Sequence, residues 1–484
     1  MALVAVAAAA AATVVVVNRA EDPPADRSSA TTMHAPADEV SVIGDRDPAA
    51  RAIAASKTFF GRADVIVVAP ADDPAAQQLA ADAAEQLRAP LLLDGDASAA
   101  ELDRLKPRDV LAIGTDVADA TGVDAVEADV TKAVTRLLDD HELPSQLPVG
   151  TLVMASDDAA DIAALATARA AGAKPMPLGK DVRADATTTD AVSAAGSVVA
   201  IGAGLDDDTA YTIEAVRSGG KLPGGGYLAL PGRHFVALYG YPGAPGLGVL
   251  GETGVDKAIA RAKRTANAYQ RLSDDPVVPT FEIIATVASS SAGRDGDYSS
   301  EASIDELRPW VDAARKAGIY VVLDLQPGRT DFLTQAKLYE PLLREPHVGL
   351  ALDPEWRLKS NQKHLVQIGS VGIDEVNRVA DWLAALTRED ALPQKVFVLH
   401  QFSTSMIRGR ERLDTSHPEL APVFHVDGQG SQPAKQGTWA VLHRGAPAGS
   451  WWGWKNFYDE DKPMLSVQET WDQVEPHPAF VSYQ

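Results

Sequence analysis

Cysteine is absent from all 484 residues. Disulfides, thiolate metal sites, thiol nucleophiles and the lipidated cysteine of a lipoprotein anchor are therefore excluded. Basic residues are outnumbered, with 44 Lys and Arg against 67 Asp and Glu, a formal net charge of -23. No basic stripe interrupts that excess, and such a surface repels nucleic acid and anionic membranes, so no nucleic-acid partner is expected. No Walker loop and no nucleophile elbow occurs. Aromatic residues are scarce, at 6%, and unevenly placed. All eight Trp lie beyond Phe235, whereas the chain before it is rich in Ala, Val and Asp. The length exceeds one hydrophobic core and calls for two or three domains.

What is present begins with an apolar run over residues 2–17, broken only by Thr13 and followed by Asn18 and Arg19. It is short for a membrane span and fits the apolar core of a signal peptide. No Lys or Arg precedes it, and no clean small-x-small cleavage site follows. Residues 21–38 are rich in Pro, Ala, Ser, Thr and Asp and read as a disordered tether. Residues 1–40 are thus expected to export the chain to the cell surface or medium, either cleaved or kept as an N-terminal membrane anchor. The alternative is a buried Ala/Val strand or helix.

Residues 41–230 alternate short Val/Ile runs with Ala-rich helical stretches at βαβ spacing. Strands are expected at 64–69, 90–93 and 110–114, with a helix over 73–87. The pattern recurs with strands at 151–155 and 197–202 and a helix over 157–171. This reads as two tandem Rossmann-like α/β repeats, 41–145 and 146–230. The residues Gly44-Asp45-Arg46, Ala50-Arg51-Ala52-Ile53-Ala54, Asp64-Val65-Ile66-Val67-Val68-Ala69, Ala89-Pro90-Leu91-Leu92-Leu93 and Ile113-Gly114 follow one another. In that order the region resembles the cell-wall-binding repeat type 2 family of Gram-positive surface proteins. The resemblance implies non-covalent attachment to cell-wall polysaccharide or peptidoglycan. Where the family carries glycine after its first strand, this chain has Pro70-Ala71-Asp72.

From Phe235 onward the apolar runs recur at regular spacing between amphipathic stretches. Strands are expected at 235–239, 281–287, 320–325, 348–352, 396–399, 423–426, 452–457 and 480–483. Helices are expected at 255–272, 304–317, 332–344, 374–386, 406–413 and 467–474. About eight strands in about 250 residues is the size of a (β/α)8 TIM barrel, here residues 232–484 with the final helix missing. The fold class is α/β, tandem repeats followed by a TIM barrel.

Chemistry in such barrels sits where strands end. Polar residues gather there: Tyr239 after strand one, Asp324 and Gln326 on strand three, and Asp353, Glu355 and Trp356 on strand four. His400 and Gln401 end strand five, His425 and Asp427 strand six, and Trp454 and Lys455 strand seven. Strand alternation puts Gly349, Ala351, Asp353 and, if the strand continues past Pro354, Glu355 on one face and Leu350 and Leu352 on the other. A glycosidase needs two carboxyl groups, and Glu355, Asp353, Asp427 and Asp324 are the catalytic candidates. Glu355 is assigned as general acid and Asp353 or Asp427 as its partner. Tyr239, Gln326, Trp356, His400, Gln401, His425, Trp454 and Lys455 are the substrate-binding candidates, with indole rings suited to stacking on sugars. The acidic end of strand four is loosely similar to those of chitinase-type and lysozyme-type glycoside-hydrolase barrels, without their full motif.

Two alternatives stand beside this reading. His400, His425, Asp353 and Asp427 could together ligate a divalent ion in a metal-dependent hydrolase. The barrel could also be a non-catalytic glycan-binding or adhesion module. Gly246-x-Gly248-x-x-Gly251 superficially fits a dinucleotide fingerprint. Pro242 and Pro245 stiffen that segment, and it reads instead as an ordered rim loop. No dinucleotide, metal or other cofactor is expected.

Overall fold

The computed structural model describes residues 14–18, 30–114, 129–146, 150–156 and 158–484. The chain forms two compact units, Met1–Arg217 and Ser218–Gln484. No helix among the described residues is long and apolar enough to cross a membrane.

The first unit holds two four-stranded sheets. In one, Val65–Ala69 lies between Leu91–Leu93 and Asp109–Ile113, all parallel. In the other, Ser197–Ile201 lies parallel to Thr151–Ala155, and Met176–Pro177 extends that sheet. Two features depart from a simple tandem pair. Val40–Ile43, which opens the first half, pairs parallel with Ser197–Ile201 of the second. Arg51 then reaches across: it is buried, its Nε lies 2.6 Å from Asp161 Oδ1 and its Nη2 donates to the Ala160 carbonyl at 3.2 Å. The two halves therefore share strands and charges.

Residues 2–13 of the apolar run lie outside the described residues. Its end, Val14–Asn18, pairs antiparallel with Asp109–Ile113. The part of the expected tether that is described is tied down. Thr32–Met33 pairs with Phe60–Arg62, and Thr31 Oγ1 accepts the Asp64 amide at 2.9 Å.

The second unit is a closed barrel of eight parallel strands. These are β1 (His234–Gly240), β2 (Val277–Ala288), β3 (Tyr320–Leu325), β4 (Val348–Leu352), β5 (Lys395–Gln401), β6 (Leu420–Val426), β7 (Trp451–Asn456) and β8 (Phe480–Tyr483). Each pairs with the next, and β1 pairs with both β2 and β8, which closes the ring. Residues 218–230 belong to this unit and not to the second repeat. Leu222, Ala229 and Leu230 pack with Phe235 and Phe480, and Gln394 Oε1 accepts the Ala229 and Leu230 amides.

Strand alternation divides the barrel into two cores. Val236, Leu238, Leu323, Leu350, Leu352, Leu399 and Phe424 face outward and pack against helices such as Val255–Gln270, Ile304–Ala317 and Ile373–Glu389. Phe235, Ala237, Tyr320, Val322, Ala351, Val398 and Val423 fill the interior. Gly453 is small because a Cβ there would lie 2.6 Å from the His425 ring. The helix expected at 406–413 is instead a short strand, Ile407–Arg408, and a 3-10 turn, Arg410–Arg412. Its apolar residues Met406, Ile407 and Leu413 are buried by tertiary packing, which imitates a helical period. The helix Gln432–His443, which the spacing does not reveal, follows β6.

Candidate active site

Apolar layers fill the barrel from its N-terminal end, and the next inward positions carry polar groups. Tyr239 ends β1, Glu282 sits inside β2, Asp324 on β3 and Asp353 just past β4. His400 ends β5, His425 and Asp427 end β6, Lys455 is on β7 and Ser482 on β8. All are 7% exposed or less. A buried charged group must be paired or shift its protonation, and the pairing here is extensive.

His400 lies at the centre. Its Nε2 is 2.8 Å from Glu282 Oε1 and 3.8 Å from Asp324 Oδ1, and its Nδ1 is 3.0 Å from Asp427 Oδ2. Burial opposes the charged ring. Glu282, Asp324 and the Asp427 hydrogen bond outweigh it and raise its pKa well above the ordinary histidine range. His400 is therefore an imidazolium, donating from both nitrogens. His425, whose ring centre is 4.8 Å from that of His400, is driven the other way. Burial and the His400 and Lys455 charges hold its pKa well below the usual value, and its Nε2 shares a 3.0 Å hydrogen bond with Ser482 Oγ.

Above this layer opens a cavity of about 590 Å³. Tyr239, Gln326, Asp353, Glu355, Trp356, Asp427 and Lys455 line it, with Phe402 and Phe457. The ordered loop after β1 contributes Gly246 and Leu247. Tyr239 Oη donates to Asp324 Oδ2 at 2.9 Å and accepts from Gln326 Nε2 at 3.1 Å. Burial and the Asp324 charge raise its pKa well above the phenol value and keep it neutral. Lys455 Nζ lies 3.4 Å from the Tyr239 ring centre, a cation–π contact. The strand below is anchored by Lys435, which donates to the Lys455 carbonyl and to Asp461, each at 2.7 Å.

The carboxyl groups separate in acidity. Glu355 is pushed up to about 7, by burial first and the Asp427 charge second. Burial and Glu355 raise Asp353 well above the aspartate range, and burial raises Asp324 to about 6. Asp427 goes the other way: burial would raise it, but the His400 hydrogen bond and charge, with Lys455, hold it below the ordinary value. Below about pH 7 the cavity thus holds a carboxylic acid at Glu355 beside a carboxylate at Asp427. Asp353 and Asp427 each leave a buried Oδ1 without a hydrogen-bond partner, as does the Trp356 Nε1.

No known family model matches the chain, and no curated protein matches it.

Of the residues expected at the site, Tyr239, Gln326, Asp353, Glu355, Trp356, Asp427 and Lys455 meet in the cavity. Asp324, His400 and His425 form its buried floor. Gln401 and Trp454 do not belong. Gln401 Oε1 accepts from Arg410, and Trp454 packs with Trp439, Leu442 and Val474 outside the barrel. The reason is alternation: His400 and Lys455 point inward, so their chain neighbours point outward. Glu282 and Ser482 also join the site, through His400 and His425, and strand-end position does not mark either. A lone Glu inside the apolar run Phe281-Glu282-Ile283-Ile284 was the available signal, since carboxyl groups are almost never fully buried without a partner.

Both ring nitrogens of His400 lie within hydrogen-bond distance of carboxyl groups, Nε2 of Glu282 and Nδ1 of Asp427. Among the described residues, the group with ligand atoms close enough to share an ion is Asp381, Asp414 and His417. None of these lines the cavity.

Proposed function

We propose that the barrel hydrolyses a glycan by carboxylate acid–base catalysis. The supporting observation is the split between Glu355, protonated up to about pH 7, and Asp427, ionised and hydrogen-bonded to His400. Titratable neighbours whose environments push them apart are the pattern of an acid and a base in one site. Glu355 would protonate the glycosidic oxygen as it leaves. Asp427 would act on the opposite side, on water or on the anomeric carbon. Trp356 offers an indole face to a sugar ring, and the free Oδ1 atoms of Asp353 and Asp427 accept from hydroxyl groups. Asp353, whose carboxyl burial raises well above the aspartate range, serves as a neutral hydrogen-bonding group.

The metal-dependent alternative is less well supported, because among the described residues the ligand atoms that converge closely enough to share an ion belong to Asp381, Asp414 and His417, and not to His400, His425, Asp353 and Asp427. Binding alone would not require one carboxyl group raised and another lowered across one cavity, as acid–base catalysis does.

The rest of the reading comes from the sequence. The protein is proposed to be exported and held at the cell wall by its two Rossmann-like repeats, which resemble cell-wall-binding repeats. Cell-wall polysaccharide or peptidoglycan is accordingly the proposed substrate. Reducing ends released from purified cell walls should accumulate with the wild type. Release should fall by about 10²–10⁴-fold with Glu355→Gln. Equal release by both proteins would remove Glu355 from the mechanism. Cell fractionation tests the location, and a wholly cytosolic protein of full mass would exclude export.

A further inference from the structure

A second cavity, of about 310 Å³, lies on the same face of the barrel and shares no lining residue with the first. It is lined by segments that follow β3, β4 and β5. In a chain of net charge -23 it collects four cations, Arg329, Arg357, Lys359 and Arg408, against one acid, Glu375. That acid is already engaged, since Arg357 Nε lies 2.9 Å from Glu375 Oε1 and Arg357 Nη2 lies 3.3 Å from Oε2. Arg329 is held by the carbonyls of Gln362 and Gly296 and has no carboxylate partner among the described residues. Arg408 is oriented by the Ser370 hydroxyl and likewise has no carboxylate partner there.

The backbone adds charge of the same sign. The 17-residue helix Ile373–Glu389 starts at this cavity, its N-cap is Gly372, and no side chain caps it. The Arg408 guanidinium lies 3.9 Å from where a Gly372 Cβ would stand. A helix N-terminus carries partial positive charge, and Arg408 adds a full charge of the same sign beside it. The helix's other first-turn acid, Asp374, is taken by Arg412 at 3.1 Å. With Arg357 paired to Glu375, the other three cations, Arg329, Lys359 and Arg408, share one concave space with a helix N-terminus that no side chain caps.

We infer that this cavity binds an oxyanion of the phosphate or carboxylate class. The planar guanidinium groups suit its paired oxygens, and the helix terminus suits its charge. The inference does not depend on hydrolysis in the neighbouring cavity. The ion could be free, or a charged substituent on a glycan chain crossing the rim.

Titrate the full chain at low salt with inorganic phosphate and, separately, with a glucuronate-containing disaccharide, following both by calorimetry. Wild type should bind with one saturable site that weakens as salt rises. The double variant Lys359→Glu/Arg408→Glu should bind at least about tenfold more weakly, because two attractive charges become repulsive. Both residues are exposed, so its melting temperature should stay near wild type. Glu355→Gln should bind like wild type, which separates this site from the catalytic one. Phosphate binding alone supports a free ion. Tighter disaccharide binding supports a glycan substituent. No saturable binding of either, or binding unchanged in the double variant, overturns the inference.

Discussion

His400 and Asp427, 27 residues apart in the chain, are joined by a 3.0 Å hydrogen bond with both side chains buried. The imidazolium lowers the Asp427 pKa and so keeps a carboxylate under a cavity whose other carboxyl groups, Glu355 and Asp353, are raised. Replacing His400 by Gln should raise the Asp427 pKa and move the acid limb of the pH–rate profile upward. Unpairing Glu282 and Asp427 should also cost about 3–5 kcal/mol of stability. An unmoved acid limb would show that Asp427 is not the base.

With Glu355 as the proposed general acid, the alkaline limb of that profile should follow its ionisation. Its pKa is raised to about 7, so activity should fall above that pH as the acid ionises. Lys455 works against the rise. Lys455→Met should therefore move the alkaline limb to still higher pH, which a pH–kcat/KM series would detect.

Linkage gives Glu355 a stability signature with a defined sign. A folded pKa above the unfolded one favours folding below the unfolded value, and that gain is lost as pH rises through the folded value. Glu355→Gln removes this loss. The variant should match wild type near pH 4 and melt at higher temperature above about pH 7. A scanning-calorimetry series in pH checks this, and a constant difference at all pH values would contradict it.

Trp356 and Trp454 should behave oppositely. Trp454 is fully buried among Trp439, Leu442 and Val474, so Trp454→Ala should cost about 3–5 kcal/mol. Trp356 lines the cavity beside His364, with ring centres 4.8 Å apart. Trp356→Ala should leave the melting temperature nearly unchanged and raise KM for the glycan.

In the first unit, the buried Arg51–Asp161 pair should be costly to break and cheap to replace. Arg51→Met alone should lose about 3–5 kcal/mol. The double variant Arg51→Met/Asp161→Leu should recover most of it in urea unfolding.

Much of the barrel was legible in the sequence. The spacing of Tyr320–Leu325, Val348–Leu352 and Phe480–Tyr483 marked strands with their observed limits. Alternation placed Asp353 with Ala351, opposite Leu352, because side-chain period is a local property of an extended chain. It equally barred Trp454 from the face of Lys455, although a list of polar and aromatic strand ends joins them. What a local pattern cannot carry is partnership. Glu282 meets His400 across 118 residues, and Ser482 meets His425 only because β8 closes the ring. Val40–Ile43 pairs with Ser197–Ile201, far along the chain, and the pattern in its own four residues does not name that partner. Those pairings, and with them the acidity of Glu355 and Asp427, follow from closure and burial. These bring distant side chains into one low-dielectric space, where charge and hydrogen bonding set protonation.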